Sequence, residues 1–328
     1  MSSSKKYFTC GPTELYPIVS DAIIKALDEK IPSISHRGKE FEKIFSLTVH
    51  ELKKLMGIPD DFMIFFSSSG TECMERIIEN IVENSSFHFV NGSFSERFFK
   101  TAIELKKNSK AHKVDFGKGF NFGEIVIPEE TELICVTQNE TSSGAAVPMK
   151  QISELKDKYP KKLIAIDVVT SAPYQKIDFG KIDIAFFSVQ KGFGLPPGLG
   201  VTIIRESCIE KTIYLKELNN NIGTYNNFID AALYYKKNQT TVTPNTLGIY
   251  LLGKIAQHLN SIGIEKIRFE TEEKAKMLYD YFFTRKDMKI FVENPFDRSK
   301  TIVVIDCGEK QKQIKKHLAD NNFIVSSG

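Results

Sequence analysis

A succession of short, largely apolar runs separated by stretches of helical periodicity constrains the fold of this chain more than any other feature of its sequence. The runs are Phe62 to Phe66, Phe87 to Val90, Leu133 to Thr137, Leu163 to Asp167, Ile182 to Phe187 and Val201 to Ile204. After the first of them Met74, Ile77, Ile78, Ile81 and Val82 recur at helical spacing, and helices are expected from Ser93 to Lys106 and from Met149 to Lys158. Ahead of it, Phe41, Ile44, Phe45, Val49, Leu52, Leu55 and Met56 form another helical stripe, stopped by Gly57 with Pro59 beyond. Strands that are apolar throughout must be buried on both faces, which is the situation in a mostly parallel sheet covered by helices. The fold class expected is therefore α/β.

The pattern changes in the last third. A helix from about Asn226 to Lys236 is followed by long apolar-periodic stretches over Asn245 to Leu259 and Ile264 to Arg285. Beyond these come separated strands at Lys289 to Val292 and Thr301 to Ile305, then a helix from Lys310 to Asn321. We expect a large α/β domain over 16–245 and a smaller α+β domain built from 1–15 and 246–328.

With 44 Lys and Arg against 41 Asp and Glu, the net charge of +3 gives no basis for strong attraction to nucleic acid or to an anionic membrane. No apolar run approaches the roughly 18 residues a bilayer demands, and the start MSSSKKYFTC has no apolar stretch after its lysines, so a cytoplasmic protein is expected. Cys10, Cys73, Cys135, Cys208 and Cys307 are far apart and lack metal-ligand spacing, and the histidines form no HExxH. No metal site is expected, and the absence of a GxxxxGK[ST] loop speaks against nucleotide hydrolysis.

Ligand groups in an open parallel sheet gather at the carboxyl ends of the strands. Ser67-Ser68-Ser69-Gly70-Thr71-Glu72 follows one such end; Ser69 and Glu72 have capping-box spacing, and the loop reads either as an anion site or as an ordinary capped helix. Asp167 ends an otherwise apolar strand, where it is a cap or turn former or a buried acid in need of a partner. Lys191 follows the strand that ends at Phe187. Burial would lower its pKa and make it an amine nucleophile; the alternative is a side chain reaching to solvent.

A phosphate-type loop, a strand-end acid and a strand-end lysine in one α/β domain are together what pyridoxal 5′-phosphate requires: a phosphate anchor, a carboxylate for the pyridine nitrogen and an imine-forming amine. These residues resemble the class V aminotransferases of the type I pyridoxal-phosphate fold, and within them most closely the phosphoserine aminotransferase family. The resemblance runs from Gly11-Pro12 to the end of the chain. It is most specific in Ile34-Ser35-His36-Arg37-Gly38-Lys39-Glu40-Phe41, in Asn139-Glu140-Thr141 with Gly144 shortly after, in Gln190-Lys191, and in Thr243-Pro244-Asn245-Thr246.

The resemblance implies that Lys191 forms the Schiff base and carries protons, while Asp167 pairs with the ring nitrogen. It further implies that Gly70, Thr71 and Gln190 bind the phosphate, that Thr141 meets the ring hydroxyl, and that Phe94 stacks on the ring where the family often has a tryptophan. His36 and Arg37, reaching in from a second subunit, would bind a substrate phosphate, and Thr243 would complete the cofactor phosphate site in trans. The protein would then be a homodimer with active sites at the interface. Its reaction would be transamination between 3-phosphohydroxypyruvate and L-phosphoserine with L-glutamate as amino donor, as in serine biosynthesis. The alternative is an enzyme of the alanine–glyoxylate or serine–pyruvate type. Cysteine desulfurases share the fold but generally place a histidine before the lysine, where this chain has Gln190.

The sequence departs from the family in three further places. Val242 stands where asparagine is frequent, Gly38 where serine is frequent, and the chain stops at Val325-Ser326-Ser327-Gly328 before the segment that carries the family's α-carboxylate-binding arginine. We therefore expect the sequence to be part of a longer protein. A non-catalytic descendant is disfavoured because Lys191, Asp167 and Thr141 are all present.

Overall fold

The computed structural model describes residues 5–327. Residues 1–4 and 328, expected in the small domain, lie outside the described residues. The chain begins with β1 (Lys6–Phe8), α1 (Val19–Asp28), α2 (Lys39–Met56), β2 (Phe62–Ser67), α3 (Gly70–Ile81), β3 (Ser86–Val90), α4 (Ser93–Glu104) and β4 (Lys110–Lys113). It continues with β5 (Leu133–Thr137), β6 (Asn139–Glu140), β7 (Ala145–Ala146), α5 (Met149–Lys158), β8 (Leu163–Asp167), β9 (Ile184–Ser188) and β10 (Gly200–Arg205). The remainder is α6 (Ser207–Glu217), α7 (Phe228–Tyr235), α8 (Thr246–Ile262), α9 (Ile264–Phe283), β11 (Lys289–Ile290), β12 (Ile305–Asp306), α10 (Gln311–Asp320) and β13 (Phe323–Val325).

The main sheet has 7 strands in the order β2-β10-β9-β8-β5-β3-β4. The strands from β9 to β4 pair in parallel, and β10 alone runs against its neighbours β2 and β9. Both faces are buried, as the unbroken apolar runs require: Ile134 and Val136 of β5 join one apolar cluster, while the intervening Leu133 and Cys135 join the other. The first cluster is closed by α2, α5 and α8, the second by α3, α4, α6 and α7. Helix α2 stops where expected, at Gly57, whose left-handed φ of 67° lets its N–H reach the carbonyl of Lys53.

Helix α8, expected with the small domain, packs on the large one. Ile249, Leu252, Ile255 and Leu259 are buried in the same cluster as Phe41, Phe45 and Leu52 of α2, and side chains of this kind contribute roughly 1.5–3 kcal/mol each. The two helices approach closely enough that Thr48 Oγ1 donates to the carbonyl of Ile249 (3.0 Å), with Gly253 facing the same threonine. Past α9 the chain forms a smaller unit of β11, β12, α10 and β13, and β13 pairs in parallel with β1 at the other end of the sequence. The strands expected at 289–292 and 301–305 shrink to two-residue pairs. The intervening segment is diverted: Ser299 N–H donates to the carbonyl of Gly144, and Thr301 Oγ1 donates to the carbonyl of Thr170.

Candidate active site

Because β2, β3, β5, β8 and β9 all point the same way, their carboxyl ends share one edge of the sheet. The register aligns Thr137 with Asp167, and Gly200 at the start of β10 with both Ser67 and Ser188. Lys191 lies just past this edge. Its Nζ donates to the carbonyl of Cys10 (3.0 Å), and burial holds its pKa below the usual lysine value. Asp167 is only 2 % exposed, and its Oδ1 accepts from the amide of Val169 (2.8 Å). Burial pushes its pKa up to about 7; the negative charge of Glu140 adds to the rise, and the Val169 amide and Lys191 oppose it.

A strap from the N-terminal segment crosses over the lysine. Thr13 N–H donates to the carbonyl of Gln190 (3.0 Å) and Thr13 Oγ1 to that of Lys191 (2.9 Å). Gly11, at φ 145°, lies so close that a methyl group on it would fall 2.2 Å from Lys191 Nζ and 2.3 Å from Cδ. The strap's other side is fastened to the small unit, where Cys10 N–H donates to Ser326 Oγ (3.2 Å).

Phe94, in the first turn of α4, presents a ring whose centroid is 5.9 Å from Lys191 Nζ and which remains 40 % exposed. Thr141 is buried, with Oγ1 3.3 Å from Thr170 Oγ1, and Thr170 in turn donates to the carbonyl of Asn139 (2.9 Å). In the loop before α3, Ser69 Oγ accepts from Glu72 N–H (3.1 Å) and the Glu72 carboxylate accepts from Ser68. The amide of Gly70 donates to Ser188 Oγ (2.7 Å). In this loop Ser68 and Thr71 are exposed, and Gln190 is half-buried.

His36, Arg37 and Thr243 form a separate cluster. Arg37 stacks 4.3 Å above the ring of Tyr234 and donates to Gln239 Oε1 (3.2 Å) and to the carbonyls of Thr240 (2.5 Å) and Thr241 (2.9 Å). His36 Nδ1 is 3.4 Å from Thr243 Oγ1, and burial and the neighbouring guanidinium hold its pKa below the ordinary imidazole value. Among the described residues no hydrogen bond joins this cluster to Lys191 or Asp167. The sequence reading assigned no role to the Cys10 carbonyl, and it quoted Gly11 and Glu140 only as parts of matching segments; of the three, Glu140 alone has a functional side chain, in the two-residue strand β6.

The donor set suits pyridoxal phosphate. An amine of lowered pKa lies near an aromatic ring and within electrostatic reach of a buried carboxylate that accepts from a backbone amide. The model for the class-V aminotransferases matches residues 7–328. A phosphoserine aminotransferase of known structure from Cytophaga hutchinsonii is 44 % identical, with a TM-score of 0.97 over 99 % of this chain and 90 % of that one. Among curated proteins, an uncharacterized aminotransferase of Helicobacter pylori is 26 % identical over 98 % of this chain and 84 % of its own length. A phosphoserine aminotransferase of Rhodococcus opacus is 24 % identical over 97 % and 84 %. The chain belongs to the class-V aminotransferases. It is a pyridoxal-phosphate-dependent transaminase of the type I fold.

Proposed function

We propose that this transaminase interconverts 3-phosphohydroxypyruvate and L-phosphoserine in the cytoplasm, with L-glutamate as amino donor, as a homodimer. The observation that carries the reading is the 44 % identity to the Cytophaga hutchinsonii phosphoserine aminotransferase across nearly the whole chain. Arg37 supports it. An exposed guanidinium suits a substrate phosphate dianion, and the adjacent His36 lies 3.4 Å from Thr243 Oγ1.

Bound pyridoxal phosphate supplies an electron sink for the substrate Cα. Lys191, with a pKa lowered by burial, is suited to hold the cofactor covalently and then, as a free amine, to take the Cα proton. Asp167 is suited to hold a proton on the ring nitrogen, since a cation there would restore the charged carboxylate that burial disfavours. Phe94 would bound one face of the ring, Thr141 would meet its hydroxyl, and Thr71, Gln190 and the Gly70 turn would receive the phosphate, with Thr243 contributing from the second subunit. No helix among the described residues is long and apolar enough to cross a membrane.

The test is the visible absorption of the purified, cofactor-loaded protein after adding L-phosphoserine, L-alanine or L-serine in parallel. Loss of the visible cofactor band with phosphoserine alone, restored by 3-phosphohydroxypyruvate, is expected. Loss with alanine or serine but not with phosphoserine refutes the reading and points to the alanine–glyoxylate or serine–pyruvate class.

A further inference from the structure

Glu140 is fully buried, at 0 % exposure, yet its hydrogen-bond partners are all neutral groups. Its oxygens accept from the amides of Phe94 (3.2 and 3.1 Å), Ser95 (2.8 Å) and Ser142 (3.1 Å), and from the hydroxyls of Ser95 (2.9 Å) and Ser142 (2.6 Å). A buried carboxylate is tolerated only when so many donors replace water.

A helix is normally capped by the side chain just before it. In α4 that position is Gly92, which has no side chain, and a Cβ there would lie 2.3 Å from Glu140 Cγ. The cap is imported across space from β6, and the glycine makes room for it. Ser142 Oγ, while donating to Glu140, also accepts from the amide of Ser93 (2.9 Å), so the first turn of α4 is tied to β6 and the turn that follows it. The residues flanking Glu140 are tied in turn to the loop after Asp167, through Asn139 Nδ2 to Thr170 Oγ1 (2.7 Å) and Thr141 Oγ1 to the same hydroxyl (3.3 Å). Glu140 is thus the link between the strand end that bears Asp167 and the helix turn that bears Phe94.

We propose that Glu140 is a positioning residue for amino transfer, fixing the Phe94 ring at its distance from Lys191 so that the ring stays where it would bound one face of the cofactor. The proposal rests on the assignment of Lys191 and Phe94 to the cofactor site. Truncating Phe94 removes the wall itself; altering Glu140 leaves the wall but frees it to move. Glu140→Gln conserves shape while turning one acceptor into a donor that faces N–H groups.

The experiment is a double-mutant cycle read by titrating the cofactor-free protein with pyridoxal phosphate and recording the visible circular dichroism of the bound form. Glu140→Gln is expected to weaken cofactor affinity about tenfold, the scale of a lost hydrogen bond to a charged group, and to diminish the induced dichroism. In the Phe94→Ala background it should cause no further loss. Wild-type affinity and dichroism in E140Q would overturn the proposal, and so would losses that multiply in the double variant. If E140Q does not fold, Ser142→Ala takes its place in the cycle, since it removes a single donor from the same carboxylate. Borohydride reduction of the wild-type complex followed by peptide mapping checks the assignment beneath: without label on Lys191, that assignment falls and the proposal with it.

Discussion

Replacing Gly11 by alanine separates two effects that are usually entangled. The added methyl would sit 2.2 to 2.4 Å from Nζ, Cδ and Cε of Lys191. Carbon atoms in ordinary contact are roughly 3.5 Å apart, so the lysine must retreat by about 1 Å. The obstructed atoms are the far end of a flexible side chain, so the steric clash itself costs little stability. The main cost is backbone strain at φ 145°, about 1–3 kcal/mol for a residue with a side chain. In a chain of this size that corresponds to a fall of a few degrees in Tm. Activity should suffer much more, since a misplacement of about 1 Å in a reacting group can lower the rate on the order of 100-fold. The assay pairs thermal melting with steady-state amino transfer from glutamate. A folded Gly11→Ala protein with wild-type turnover would refute the reasoning, showing that the strap does not set the position of the lysine.

Three further outcomes are expected. Lys191→Ala should abolish turnover and eliminate the borohydride-fixed cofactor adduct that mass spectrometry finds on the wild-type chain. Arg37→Ala should lower kcat/KM for phosphoserine by roughly tenfold or more, through the lost charge-assisted contact, while transfer from any non-phosphorylated amino acid changes little; equal losses for both would mean that Arg37 only secures residues 239–241. Asp167, raised from 3.8 to about 7, keeps in the folded, cofactor-free protein a proton that the unfolded chain has already released. Its contribution to stability is therefore lost as pH rises through the window from about 4 to 7, and urea melts across that window should show a slope that Asp167→Asn removes.

Much of the architecture was legible because burial on both faces imposes a recognisable composition on strands, and the runs at 133–137 and 163–167 stand nearly residue for residue where the sequence puts them. The direction of β10 was not legible, since Val201 to Ile204 is equally apolar read either way. The Pro244-Asn245 break marks a helix start correctly, with Asn245 Oδ1 accepting from Gly248 N–H (2.8 Å), but a break in local structure does not say which core the next helix joins. At the site, Lys191 and Asp167 betray themselves by being charged at the ends of buried strands. The Cys10 carbonyl leaves no such trace, because any residue supplies a carbonyl. The hydroxyl of Ser188 was hidden for a related reason: its use by the Gly70 amide depends on two strand ends lying one strand apart across β10, a relation that exists only in the folded sheet.

The strap over Lys191 also fixes an order of events during synthesis. Cys10 reaches its partner Ser326 across 316 residues of chain, and β1 has no strand to pair with until β13 has been made. The main sheet, complete once Arg205 has emerged, can close well before then. A nascent or C-terminally clipped chain would accordingly hold a well-formed sheet around a lysine whose covering segment is fastened on one side only. Contacts of such long sequence separation form late, so the reactive amine acquires its full set of constraints only when the β13 end of the chain has left the ribosome.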